Sequence, residues 1–199
     1  FTSTAGMIDI RERYNIPCGA AIVAYLGRLT LDKRVQTILD AFVAVRDARK
    51  ACLVIAGVGP ERGSLEERAK VLGIHGDTRF IGYIEEVEKV SLLRQSSVVV
   101  LVSKADLVPL VLVEAMACGT PVIGSRAGGI PNLIEDGRTG ILVNEGDPEE
   151  LSRKILDVLS RDDLSEITNK AKDYVMHNYS TQVAARAFID VYRKSLQLQ

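Results

Sequence analysis

Two carboxylates, Asp106 and Glu114, stand eight residues apart around the start of an apolar stretch, with Pro109 between them. That spacing lets one acid face a sugar while the other faces a ribose. Pro109 suits a first helical position, because its fixed φ fits the helix and its missing N–H would have no partner there. The amides of Leu110 and Val111 are then expected to be free, at the positive end of a helix dipole, where phosphate oxygens are favoured. Glu114 lies one turn further in, on the same face as Leu110, and can accept two ribose hydroxyls. The alternative is an acid that only complements the dipole. Upstream, Gly27-Arg28-Leu-Thr-Leu-Asp-Lys33-Arg34 brings cations to the end of an apolar run. Arg28 offers a planar fork and Lys33 a mobile point charge, a pair able to grip a diphosphate. A solvated surface cluster is the competing explanation, and Arg34 reads as solvent-facing.

These groups need a scaffold, and the hydrophobic pattern supplies one. Short β-branched runs at residues 21–26, 52–56, 79–81, 98–102, 122–124 and 141–143 read as strands of a parallel sheet. Between them, Val35, Ile38, Leu39 and Phe42, then Leu65, Ala69 and Leu72, then Val87, Val90 and Leu93 recur at helical spacing. This alternation predicts an α/β fold, a doubly wound parallel sheet of about six strands with helices on both faces. From Pro148 onward only helical spacing remains (Leu151, Ile155, Leu159; Ile167, Ala171; Val183, Ala187, Ile189, Val191), so a helical C-terminal tail is expected to pack over the sheet. Glycines fall where strands end, at Gly27, Gly57, Gly59, Gly82, Gly128 and Gly129. Open α/β sheets bind ligands at those ends, although glycine there also simply permits the turn.

At 199 residues and 47% hydrophobic content the chain has room for one domain, residues 1–199, with a full core. A net charge of −1 gives no general basic field, which argues against nucleic acid as a partner. Cys18, Cys52 and Cys118 lack CxxC or Cys/His metal spacing, which suits reduced, small packing residues in the cytoplasm. His75 and His177 stand far apart with no triad-like company, so metal or Ser/His chemistry has no support. No apolar run approaches the roughly 18 residues of a membrane span, so no transmembrane segment is expected and the chain is expected to be soluble. It starts at Phe1 without an initiator Met, suggesting a piece of a longer protein. Gly57-Val-Gly59-Pro-Glu-Arg-Gly63 follows a strand and is similar to a variant dinucleotide fingerprint. It follows the second strand rather than the first, and Pro60 and Glu61 bring a bend and a negative charge to where a pyrophosphate would lie, so a nicotinamide oxidoreductase is a remote alternative.

Taken in order, Gly27-Arg28 with Lys33, Ala56-Gly-Val-Gly-Pro60, Phe80-Ile-Gly-Tyr83, Glu114-Ala-Met-Ala-Cys-Gly-Thr-Pro-Val-Ile123, Gly128-Gly-Ile-Pro131 and Gly137-Arg-Thr-Gly140 resemble the group 1 glycosyltransferases of family 4. The resemblance runs from about Gly19 to the C-terminus. It implies a Rossmann-like domain, the C-terminal, nucleotide-sugar-binding half of a GT-B enzyme whose N-terminal acceptor half is missing. On that resemblance, Arg28 and Lys33 hold the donor diphosphate, Leu110 and Val111 offer amides to it, Glu114 binds ribose and the backbone near Ile84 rims the base pocket. Asp106 takes the place of the family's first acid, so Arg28, Lys33, Asp106 and Glu114 form the expected catalytic set.

The resemblance further implies retention of anomeric configuration and no metal cofactor, in keeping with the lack of an Asp-x-Asp pair. The expected partners are a nucleotide-sugar donor, the missing half, and a glycan, lipid or small-molecule acceptor. A cytoplasmic location is expected, with any peripheral membrane contact left to the missing half. Three departures stand out. Asp106 replaces a glutamate and shortens the reach by about 1.5 Å, one C–C bond. Val108-Pro109 replaces Phe-Gly, removing a backbone donor, and Asn132 replaces a glutamate after Gly-Gly-Ile-Pro. These changes touch sugar recognition more than nucleotide recognition, and they keep a non-catalytic nucleotide-binding or scaffold module open as the alternative.

Overall fold

A computed structural model describes residues 6–180 and, beyond them, residues 182, 183, 185, 188, 189, 192 and 193. Six strands, β1 (Ala21–Leu26), β2 (Ala51–Ala56), β3 (Thr78–Gly82), β4 (Val98–Leu101), β5 (Val122–Ser125) and β6 (Ile141–Val143), form one sheet in the order β3-β2-β1-β4-β5-β6. Every pairing is parallel, with Val23 of β1 opposite Leu53 on one side and Val98 on the other. Strands buried on both faces need unbroken apolar runs, and all of β2, β4 and β5 are buried.

The helices are α1 (Ile10–Arg13), α2 (Val35–Ala48), α3 (Arg62–Val71), α4 (Glu86–Gln95), α5 (Leu110–Cys118), α6 (Ile130–Leu133), α7 (Pro148–Ser160) and α8 (Ser165–Asn178). Helix α2 forms because Val35, Ile38, Leu39, Phe42 and Val45 put one apolar stripe on the sheet. Helix α7 starts where the Asp147 carboxylate accepts the Glu150 amide at 2.8 Å, with Pro148 in the first turn. Helix α5 stops at Gly119, whose φ of 80° favours glycine.

The predicted class and the six strands stand, with boundaries moved by a residue or so. Neither α1 nor α6 was anticipated. The helical tail covers helices as well as sheet, α7 lying on α2 and α8 on α5. Ile189 is exposed, and the tail positions Ala187 and Val191 lie outside the described residues. In α4 the expected stripe is only partly right: Val87 faces out while Glu88 is buried, because Glu88 accepts from Tyr14 Oη at 2.5 Å and pairs with Arg13. Of the cysteines only Cys52 is fully buried, and Cys18 is exposed. Among the described residues no helix is long and apolar enough to cross a membrane.

Candidate functional site

The strand order reverses direction between β1 and β4, so the loops leaving those two strands diverge and open a crevice at the carboxyl edge of the sheet. The β1 loop carries Arg28 and Lys33, and the β4 loop carries Asp106 and Pro109.

Backbone contacts fix the β1 loop. Gly27 N donates to Ala56 O at 3.0 Å, Leu29 N to Val58 O at 2.9 Å, and Glu61 N to Leu29 O at 3.0 Å. A Cβ on Gly57 would stand 1.8 Å from the Gly27 carbonyl oxygen, and one on Gly59 2.2 Å from that of Leu29. The Gly-x-Gly pattern after β2 is therefore accounted for by two loops packed backbone to backbone, with no need of a dinucleotide. The fully buried Tyr25 completes this corner by donating from Oη to the Arg28 carbonyl at 2.7 Å. Burial, then the charges of Asp106 and Asp32, push its phenol above the usual range, so it remains a donor at neutral pH. Tyr25→Phe is expected to cost about 1 kcal/mol, read by urea denaturation, because the part-buried bond to the Arg28 carbonyl is lost.

Beyond that corner, Leu31–Lys33 makes one 3₁₀ turn and Arg34 takes a left-handed conformation at φ 49°, unusual for a residue with a long side chain. This reversal turns Lys33 inward, leaving the residue 8% exposed and its Nζ on Asp106 Oδ1, with Asp32 at 3.7 Å. Among the described residues, Asp106 Oδ2 is buried without a hydrogen-bond partner. Arg34, expected to face solvent, keeps 32% of its side chain exposed and pairs with Glu145 at 2.6 Å.

On the opposite side of the crevice, Gly129 N donates to Asp106 O at 2.6 Å, and a Cβ on Gly129 would come within 1.8 Å of the Leu107 carbonyl oxygen. The Gly128-Gly129 pair thus lets the β5 loop support the Asp106 loop from behind. Pro109 is the cap of α5 rather than its first residue. With φ −79° and ψ 78° it closes an inverse γ-turn in which Leu110 N donates to Val108 O at 2.9 Å. The expectation that both amides are free is corrected: Leu110 N is taken, whereas Val111 N makes no hydrogen bond among the described residues. The Leu107, Val108 and Leu110 side chains point outward.

Of the residues expected to bind nucleotide, Arg28 and Ile84 line a cavity of about 210 Å³ together with Gly57, Gly82, Tyr83 and Lys89. Glu114 joins this wall through Lys89, whose Nζ lies 2.7 Å from Glu114 Oε1 and 2.8 Å from Glu86 Oε2. Burial disfavours the Lys89 charge, but the bonds to Glu114 and Glu86 outweigh it and raise its pKa. Lys33 and Asp106 are not in its lining, and Leu110 and Val111 open α5, the helix that carries Glu114. Each expected acid is thus paired with a lysine, Asp106 with Lys33 and Glu114 with Lys89. Lys89 escaped the sequence reading because its helix signalled only apolar spacing, and its partner is 25 residues away. Among the described residues no group of three His, Cys, Asp or Glu side chains could hold a metal ion.

The chain as a whole has relatives. The family model for group 1 glycosyl transferases matches residues 7–174. The chain is 30% identical over 187 residues to the N-acetyl-alpha-D-glucosaminyl L-malate synthase of Bacillus anthracis, covering 94% of this chain and 49% of that protein. It spans about half the length of the relatives it matches. Anabaena HepE, crystallised in complex with UDP and glucose, superposes with a TM-score of 0.85 at 21% identity, over 92% of this chain and 51% of HepE. The C-terminal domain of a group 1 family glycosyl transferase from Francisella tularensis superposes with a TM-score of 0.76 at 26% identity, over 85% of this chain and 91% of that one. The match runs through the crevice loops and all six strands, and on it the chain belongs to the group 1 glycosyltransferase family.

Proposed function

We propose that this chain is the donor-binding half of a retaining, metal-independent glycosyltransferase that moves a hexose from a nucleoside diphosphate to a glycan, lipid or small acceptor. The observation that carries this reading is that the β1 loop, with Arg28 and Lys33, and the β4 loop, with Asp106, leave the sheet at one topological crevice where Lys33 meets Asp106, with Glu114 joined to the cavity wall through Lys89. In this reading the base enters the cavity beside Ile84 and Tyr83, Glu114 accepts ribose hydroxyls, and the diphosphate lies between Arg28, Lys33 and the Val111 amide. As the bond from sugar carbon to phosphate oxygen breaks, negative charge grows on the leaving diphosphate. Fixed cations and a helix-end amide stabilise that charge more strongly than the ground state. Asp106, which keeps 19% of its side chain exposed, accepts a sugar hydroxyl. Acceptor binding falls to a second half facing the crevice.

Titration of UDP, GDP and ADP into this chain tests the reading, and the UDP and glucose held by Anabaena HepE make UDP the first to try. At least one should bind, unaffected by a chelator, with Arg28→Ala weakening it about 10- to 100-fold, the value of a charged hydrogen bond. Failure of all three to bind would sink the proposal. This chain on its own should transfer no sugar, and turnover by it alone would contradict the two-half mechanism.

The second reading, a non-catalytic nucleotide-binding module, draws on the γ-turn at Pro109, which occupies the Leu110 amide, and on the Lys33 pair that engages Asp106. It predicts that Glu114→Ala leaves the activity of the full-length protein unchanged, whereas the donor-site reading predicts its loss.

A further inference from the structure

We propose that Lys89 is a positioning residue for the donor ribose: it holds the Glu114 carboxylate in the accepting geometry and thereby couples helix α4 to nucleotide affinity. The inference rests on the donor-site reading and adds to it a residue on a different helix. Glu114 is only 22% exposed at its side chain and Lys89 23%, so the pair is largely withdrawn from solvent screening. The Lys89 ammonium is itself anchored by Glu86, one turn earlier on α4, so it is held at both ends rather than swinging freely.

A carboxylate accepts at about four lone-pair sites, and the bond from Lys89 takes one on Oε1. The rest can serve the two ribose hydroxyls. A glutamate left unanchored at the crevice wall would have to be ordered by the ligand, at an entropic cost that Lys89 removes in advance. Lys89 also lines the cavity that holds Arg28 and Ile84, so its charge faces the ligand's side of the wall. On the donor-site reading two kinds of cation are then distinct: Arg28 and Lys33 meet the diphosphate, and Lys89 acts on the sugar ring of the nucleotide through Glu114.

The separation has a thermodynamic signature. Taking whichever of UDP, GDP and ADP binds the wild type most tightly, Lys89→Met should weaken it about 10-fold, a loss of about 1.4 kcal/mol. The same substitution should change the affinity for the 2′,3′-dideoxy form of that nucleotide less than about 2-fold, because no hydroxyls remain for Glu114 to meet. Glu114→Gln should show the same dependence on the hydroxyls, and the double variant should be no weaker than the weaker single. Lys89→Arg should recover most of the affinity, and Lys89→Gln carries the same comparison should the methionine variant melt too low to titrate.

Equal losses on the two nucleotides would overturn the inference, since Lys89 would then act on the diphosphate or the fold. A gain in affinity would overturn it as well, by making Lys89 a competitor for Glu114. If the wild type binds a nucleotide and only the Glu114 variant is hydroxyl-dependent, Lys89 has no such role while the donor site stands. If no nucleotide binds the wild type, both readings fall together.

Discussion

Gly57→Ala is expected to destabilise the protein by about 3–5 kcal/mol, at the severe end for a single substitution. The added methyl would lie 1.8 Å from the Gly27 carbonyl oxygen, and a backbone atom has no rotamer by which to move aside. The φ of 148° at Gly57 adds a conformation that side chains rarely adopt. Relief requires the β1 and β2 loops to part, which breaks the bonds from Gly27 to Ala56 and from Leu29 to Val58 and displaces Arg28. Nucleotide affinity should therefore fall with stability. Gly63 supplies the control. It sits within α3, where a methyl added to its Cα would meet nothing within 4 Å, so Gly63→Ala should stabilise by about 0.5–1 kcal/mol through helix propensity alone. Urea denaturation of both variants measures the contrast, and a Gly57→Ala variant within about 1 kcal/mol of wild type would show that the two loops are not packed as described.

The second large effect is at Lys33. Removing one member of a mostly buried ion pair strands the other, at a cost of about 2–4 kcal/mol here, reduced from the fully buried case because Asp106 keeps 19% of its side chain exposed. Lys33→Met should be costly for that reason, the more so because Asp106 Oδ2 already lacks a partner. Lys33→Met combined with Asp106→Leu should regain most of the stability, since no charge is left unpaired. Nucleotide affinity should respond differently. It should stay about 10- to 100-fold below wild type in both variants, because the cation proposed to meet the diphosphate is absent from each. If the double variant regained affinity along with stability, Lys33 would be a structural partner of Asp106 and nothing more.

These two experiments bear on what the sequence made legible. The sheet was readable because strands buried on both faces need unbroken apolar runs, and β1, β2 and β4 provide them. Glycine positions were readable as well, but their reason was not. Only folding shows that Gly57 and Gly59 yield to the carbonyls of Gly27 and Leu29, and Gly129 to that of Leu107. Long-range ion pairs were invisible for the same cause: Lys33 meets Asp106 across 73 residues and Lys89 meets Glu114 across 25. Periodicity also put Val87 on the buried stripe, where the structure exposes it, and gave no sign of Glu88, which Arg13 and Tyr14 hold inside. At Pro109 the sequence located a helix start correctly to within one residue. It could not foresee the γ-turn that occupies the Leu110 amide, because ψ at a proline is free where φ is not.

The most direct test of the proposed donor site is a crystal structure of this chain with a bound nucleoside diphosphate, UDP first. The diphosphate should lie between Arg28 and Lys33 with an oxygen toward the Val111 amide, and the ribose hydroxyls should meet the Glu114 carboxylate while Lys89 remains on it. A nucleotide seated away from the crevice, or one whose ribose turns from Glu114 with its phosphates in solvent, would contradict the account.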